Sequence, residues 1–172
     1  MYNILSSLAL ANSFKIDKKK LVESVARIKP IEHRLEIKKI ANFYQIDDAF
    51  NSNPVGANNA LEVLDSMPGE KIVVTPGMIE LGDLEYSENK KFGKHIAKVA
   101  DKVILVGEKV TKAIKEGLEE EEFNKDNLYI INDVKESYKM IQNFKTDKDI
   151  YALYENDLPD TYVEKGDKKW LD

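Results

Sequence analysis

Residues 32–59 read EHRLEIKKIANFYQIDDAFNSNPVGANN, from Glu32 to Asn59, and the rest of the chain is organised around them. Leu35 to Ile40 and Phe43 to Ile46 are two β-prone runs flanking Ala41-Asn42, which predicts a hairpin at a sheet edge. Asp47 to Asn53 then form a strand-to-helix loop: Asn53 is a good N-cap, and Pro54 suits the first helical position, where no amide partner is needed. In open α/β sheets ligands bind outside the carboxyl ends of strands, and a helix start offers N–H groups to anions. A carboxylate there can take a ribose hydroxyl, and a nearby arginine can take a phosphate as a fork. On these residues alone a second reading stays open, in which Asn-Ser-Asn-Pro is only a cap and turn and the acids are solvated.

Working outward, the pattern alternates: helix Pro54 to Met67, strand Lys71 to Thr75, helix Tyr86 to Ala100, strand Lys102 to Val106, helix Lys109 to Glu119, strand Leu128 to Ile131, helix Val134 to Phe144 and strand Ile150 to Tyr154. Strands alternating with helices of this length predict an α/β fold: a Rossmann-like, mostly parallel six-stranded sheet with one antiparallel edge strand and helices on both faces. Upstream, Asn3 to Phe14 is apolar enough for a helix, and Asp17 caps a second one carrying Leu21, Val22, Val25 and Ile28 at helical spacing. Lys29-Pro30-Ile31 reads as a linker, since proline drives the preceding residue to extended geometry and ends the helix near Ile28.

The chain has 172 residues, 42% of them hydrophobic and 33% charged, which fits a globular domain of ordinary size. A net charge of −5 argues against a nucleic-acid groove, which leans on excess Lys and Arg. There are no cysteines, hence no disulfide framework or thiol nucleophile, and only two histidines, far apart, so no metal cage is expected. No apolar run approaches a membrane span, and no signal peptide is apparent, so a cytoplasmic location is expected. No G-x-x-x-x-G-K-[ST] loop occurs, so a triphosphate cannot be cradled in the P-loop manner, and no G-x-G-x-x-G turn follows the first strand.

His33-Arg34-Leu35-Glu36, followed by Asp47-Asp48-Ala49-Phe50-Asn51-Ser52-Asn53-Pro54, resembles the start of the C-terminal domain of the Mur ligases, in particular their D-alanyl-D-alanine-adding branch. Thr75-Pro76-Gly77-Met78-Ile79-Glu80-Leu81-Gly82 is similar to the G-x-M-x-E-L-G motif of that branch. The resemblance covers roughly residues 3–160. It implies a helical remnant of the central ATP-binding domain plus linker at 1–30, the Mur ligase C-terminal domain at 31–160 and a polar tail at 161–172. The sequence would then begin inside the central domain.

The implied activity is ATP-dependent joining of D-alanyl-D-alanine to a UDP-N-acetylmuramoyl peptide through an acyl phosphate, in peptidoglycan synthesis. The resemblance implies ATP and Mg²⁺ as cofactors, bound mainly by the P-loop domain of the same ligase, and no catalytic residue or metal ligand in this chain. Arg34 is expected at the ATP phosphates, Asp48 at the ribose, Asn51 and Asn53 in the same ATP-binding loop, and His33 beside adenine, with Asp47 as local support. Met78 and Glu80 are expected at the amine substrate. Phe50 replaces the usual tyrosine of the branch. At the last strand end, Glu155 to Asp160 is acidic where better-known members are basic, which points to Asp157, with Glu155, as a contact for the amine's ammonium. A sister ligase such as a folylpolyglutamate synthase, or a non-catalytic nucleotide- or protein-binding module, are the alternative readings.

Overall fold

The computed structural model describes residues 2–28, 33–49 and 52–156. The chain divides into two compact units, residues 1–31 and 32–172. In the first, helices α1 (Tyr2–Ser13) and α2 (Lys18–Ala26) form a hairpin. Asp17 caps α2 as expected, its carboxylate accepting the Lys19 and Lys20 amides at 2.8 and 3.3 Å. Ile4, Leu8 and Ala11 face Leu21, Val25 and Ile28 across a shallow apolar groove, and α2 has no buried residue. The linker around Pro30 and the tail at 161–172 lie outside the described residues.

The second unit is a six-stranded sheet in the order β1-β2-β6-β3-β4-β5. Strands β1 (Glu36–Ile40) and β2 (Phe43–Asp48) pair antiparallel across Ala41-Asn42, and every other neighbouring pair is parallel. The remaining strands are β3 (Glu70–Thr75), β4 (Lys102–Val106), β5 (Leu128–Ile131) and β6 (Ile150–Glu155). The helices are α3 (Pro54–Asp65), α4 (Glu85–Val99), α5 (Lys112–Glu120) and α6 (Val134–Gln142).

The central strands read as continuous aliphatic runs because both of their faces are covered. Val73, Val103, Leu105 and Leu153 point to the side packed by Leu61 and Leu64 of α3, Phe92 and Ile96 of α4, and Ile114 and Leu118 of α5. Their neighbours Ile72, Val74, Ile104, Val106 and Ala152 point to the other side, where Ile141 of α6 closes the core. The period of two along each strand thus sorts one hydrophobic run into two cores.

Two boundaries differ from the expectation in ways that bear on the site. β2 runs on through Asp47 and Asp48, which pair with Tyr154 and Glu155 of β6, while Asp47 also pairs with Glu36 of β1. Both acids therefore sit on a strand end, not in a loop. Helix α5 starts at Lys112 instead of Lys109, because Gly107 turns with φ +85° and the amide and hydroxyl of Thr111 both bond its carbonyl.

Candidate nucleotide and amine site

The three strands β2, β6 and β3 are adjacent and parallel, so Asp48, Glu155 and Thr75 end on the same rim of the sheet. Because β1 runs antiparallel to β2, its beginning lies beside the end of β2, with Glu36 opposite Asp47. Chain direction alone thus carries His33 and Arg34 to the two aspartates.

The segment that leads into β1 is held on both sides of Arg34. His33 and Leu35 each have positive φ, 58° and 52°, a conformation that costs a non-glycine residue on the order of 1–3 kcal/mol and persists only when contacts over-determine it. Those contacts are present: the imidazole Nδ1 of His33 lies 2.9 Å from Asp47 Oδ2, and the Leu35 amide donates to Asp48 Oδ1 at 3.2 Å while its side chain packs on the core. Arg34, between these anchors, stands exposed on the rim. Asp47 is buried and also receives Lys38 at 3.6 Å. Burial pushes the Asp48 carboxyl above its ordinary value, outweighing the Leu35 N–H and the Arg34 charge, which pull it down.

Asn53 caps α3, its side-chain oxygen accepting the Val55 and Gly56 amides at 3.1 and 3.0 Å. The helix start that the Asn53-Pro54 pattern offered as an anion site is therefore already satisfied from within, and what Asn53 supplies to the rim is rigidity. Asn51 and Phe50 lie outside the described residues, as does Asp157.

The segment after β3 is pinned from α4. Asn89 is buried, accepts the Met78 amide at 2.8 Å and donates to the Met78 carbonyl at 2.7 Å. Gly77 has φ +89°, and a Cβ there would come within 2.8 Å of Asn89 Oδ1, so neither the turn nor the contact admits a side chain. Met78 corrects the sequence expectation: its side chain is only 2% exposed and belongs to the core, because both of its backbone polar groups are tied to Asn89. Glu80 is exposed with φ 63° and is the acidic side chain that this segment offers to solvent.

The acidic end of β6 is not a free surface loop where it is described. Glu155 is 1% exposed, the Ser52 hydroxyl donates to its Oε1, and Oε2 has no hydrogen-bond partner. Burial pushes this carboxyl up to about 7, helped by the neighbouring Asp48 and opposed by the Ser52 hydroxyl. It is therefore no ready ammonium contact. Asn156 follows with φ 65° and bonds to Asp48, Ser52 and Gly77.

Sequence reasoning singled out Arg34, Asp48 and the segment after β3, but not the contacts that Ser52, Asn89, Glu155 and Asn156 make around them. Asn89 had a signal: it stands on the same helical stripe as Phe92, Gly93 and Ile96, and a polar residue in an apolar stripe is there to bond something.

The rim suits part of a nucleotide. Asp48 has one carboxylate oxygen engaged by Leu35 and can accept a hydroxyl with the other, and the Arg34 charge lies near enough to act on it. Among the described residues no three His, Cys, Asp or Glu side chains converge to hold an ion. No described helix is long and apolar enough to cross a membrane.

Residues 33–153 match the family described as Mur ligase, glutamate ligase domain, and the chain belongs to that family. It is 32% identical over 120 residues to the UDP-N-acetylmuramoyl-tripeptide–D-alanyl-D-alanine ligase of Buchnera aphidicola, over 67% of this chain and 26% of that enzyme. Among solved structures, MurF from Acinetobacter baumannii is similar with a TM-score of 0.76 at 23% identity, covering 90% of this chain and 34% of the other. MurF from Thermotoga maritima, solved in complex with ADP, is similar with a TM-score of 0.69 at 20% identity, over 89% of this chain and 34% of that one. These structural likenesses establish the fold, and the chain spans only about a quarter to a third of the length of these relatives.

Proposed function

We propose that this chain is the C-terminal part of a cytoplasmic, ATP-dependent ligase that adds D-alanyl-D-alanine to a UDP-N-acetylmuramoyl peptide in peptidoglycan synthesis. The observation that carries the reading is the rim itself, where antiparallel pairing puts Arg34 beside Asp48 at the strand ends. Family membership and the ADP complex of the Thermotoga relative support ATP as the nucleotide.

In this reading Asp48 holds the ribose, Arg34 neutralises phosphate charge, and the segment from Thr75 to Gly82 with Glu80 faces the amine. Asn51 retains the role that the family resemblance gives it, and Asp157 the ammonium contact argued from its charge. His33, tied to Asp47, acts by holding the hinge; Asn53 acts by capping α3. Mg²⁺ and the P-loop belong to a preceding domain, and closure of this domain over it assembles the site and excludes water. The α1–α2 hairpin fits the same picture. Two short helices cannot bury enough apolar surface alone, and Leu10, Phe14 and Val22 are 63%, 73% and 70% exposed, so this hairpin is read as part of that preceding domain.

The test is phosphate release. The chain alone is expected to release none above a no-enzyme control. Joined behind the P-loop region of a ligase of this branch, it should support release that requires both the muramoyl peptide and D-alanyl-D-alanine. Arg34→Ala should then lower kcat/KM roughly 10- to 100-fold, the worth of one charged hydrogen bond at about 1.5–3 kcal/mol. ATP turnover by the chain alone, or a joined enzyme indifferent to Arg34→Ala, contradicts the reading.

A further inference from the structure

We propose that Asn156 is a positioning residue that clips the nucleotide-side loop to the amine-side loop, fixing the distance between the two halves of the site. The inference rests on the roles given above to Asp48 and to the segment from Thr75 to Gly82.

β6 lies between β2 and β3 in the sheet, so its end is the place from which one residue can reach the loops that follow both neighbours. Asn156 does reach both. Its backbone amide donates to the Asp48 carbonyl at 3.2 Å, its side-chain oxygen accepts the Ser52 amide at 3.2 Å, and its side-chain nitrogen donates to the Gly77 carbonyl at 2.6 Å. The residue is 7% exposed, so these bonds are sheltered from competing water.

The chemistry selects asparagine. The position has φ 65°, which glycine adopts freely and asparagine and aspartate tolerate better than other side chains. Glycine has no side chain to bond either loop. Aspartate can accept from Ser52 but, when ionised, cannot donate, and would set a carboxylate oxygen against the Gly77 carbonyl. Asparagine alone of the three carries an acceptor and a donor at once, and the partners fix which way its amide points. A residue that only ended β6 would need the backbone turn and nothing more. Instead, two side-chain bonds of opposite character land on two different loops.

The consequence for catalysis is geometric. Ligation needs the amine within attacking distance of an acyl phosphate whose place is set by the nucleotide, and a misplacement of about 1 Å can cost on the order of 100-fold. The contact of Ser52 with Glu155 adds a second tie between the nucleotide-side loop and β6, while Asn89 anchors the other loop to α4. Asn156 is the link between these two anchored pieces.

The test uses the 172-residue chain, isotope-labelled, with Asn156→Gly and Asn156→Asp. Asn156→Gly keeps the backbone turn and deletes both side-chain bonds, while Asn156→Asp keeps the acceptor and deletes the donor. In Asn156→Gly the Ser52 amide is expected to exchange with solvent about tenfold faster and the Gly77 carbonyl carbon resonance to move, with the Met78 amide, held by Asn89, and core amides such as Val73 unchanged. Asn156→Asp is expected to move the Gly77 resonance and leave Ser52 slow. On ATP titration the wild-type chain should shift Gly77 along with Ala49, whereas Asn156→Gly should shift Ala49 alone. Faster exchange throughout the core, an unchanged Ser52 amide, or Gly77 responding to ATP equally in both proteins overturns the clip. ATP moving neither residue in the wild-type chain would count against the nucleotide reading instead, and the exchange rates then decide the clip by themselves.

Discussion

Glu155→Gln is expected to stabilise the chain relative to wild type as pH rises from 4.5 to 8, by about 3 kcal/mol over that interval. The carboxyl is pushed up to about 7 by burial, against an ordinary value of 4.5. A raised carboxyl reverses the usual direction for an acid. Below 4.5 it is neutral in both folded and unfolded chains and costs nothing; between 4.5 and about 7 the unfolded chain gives up its proton more readily, so stability falls; above that the loss is complete. Each unit of difference corresponds to about 1.4 kcal/mol, which sets the size of the effect. Glutamine removes the titration but leaves a buried amide where Oε2 had no partner, a cost that does not vary with pH. The decisive quantity is therefore the slope of the difference between the two proteins, not its value at one pH. Glu70, held below its ordinary value because Lys102, Thr146 and Lys148 outweigh its burial, titrates in both and cancels in the comparison. Denaturation curves for the two proteins that stay parallel from pH 4.5 to 8 would show that Glu155 is not buried as a neutral acid.

Gly117→Ala is expected to destabilise the domain by about 3 kcal/mol, although alanine is the better helix former by about 1 kcal/mol. A Cβ at Gly117 would lie 2.2 Å from the Lys90 carbonyl oxygen, and one at Gly93 would lie 2.2 Å from that of Ile114. The two glycines face each other where α4 crosses α5, so backbone meets backbone and no side chain can swing away. The clash must be relieved by moving a helix whose other contacts include Phe92, Ile96, Ile114 and Leu118 in the core. α4, the helix that Gly117 packs against, carries Asn89, so a displacement there should also loosen the Met78 segment. Chemical denaturation checks the magnitude. A variant as stable as wild type would mean that the helices do not cross in contact at these residues.

Much of the architecture was legible because helix and strand periods alternate cleanly after Pro54, and each core strand is a short aliphatic run bounded by turn residues. The edge hairpin was legible for the same reason. What the sequence did not disclose was where β2 and β6 end. Asp47, Asp48 and Glu155 are charged, and a charged residue at the end of an apolar run reads as the start of a loop; only the parallel pairing of Asp48 with Glu155 shows them to be in the sheet. Met78 failed similarly: a motif residue in a turn looks available to ligand, and its burial depends on Asn89, eleven residues on, reaching back to hold its backbone. The role of Asn156 was invisible because its three partners, the end of β2 and the loops after β2 and β3, lie far away in sequence.

The most direct test of the nucleotide rim is an ATP titration of the labelled chain, repeated with Arg34→Ala and Asp48→Asn. One or two charged hydrogen bonds, each contributing about 1.5–3 kcal/mol, support binding only in the millimolar range, where the total is about 4 kcal/mol. The account predicts amide shifts centred on Leu35, Ala49 and Ser52 that saturate at millimolar ATP and are strongly reduced by either substitution. Micromolar binding, shifts centred away from this rim, or a response indifferent to both substitutions would contradict it.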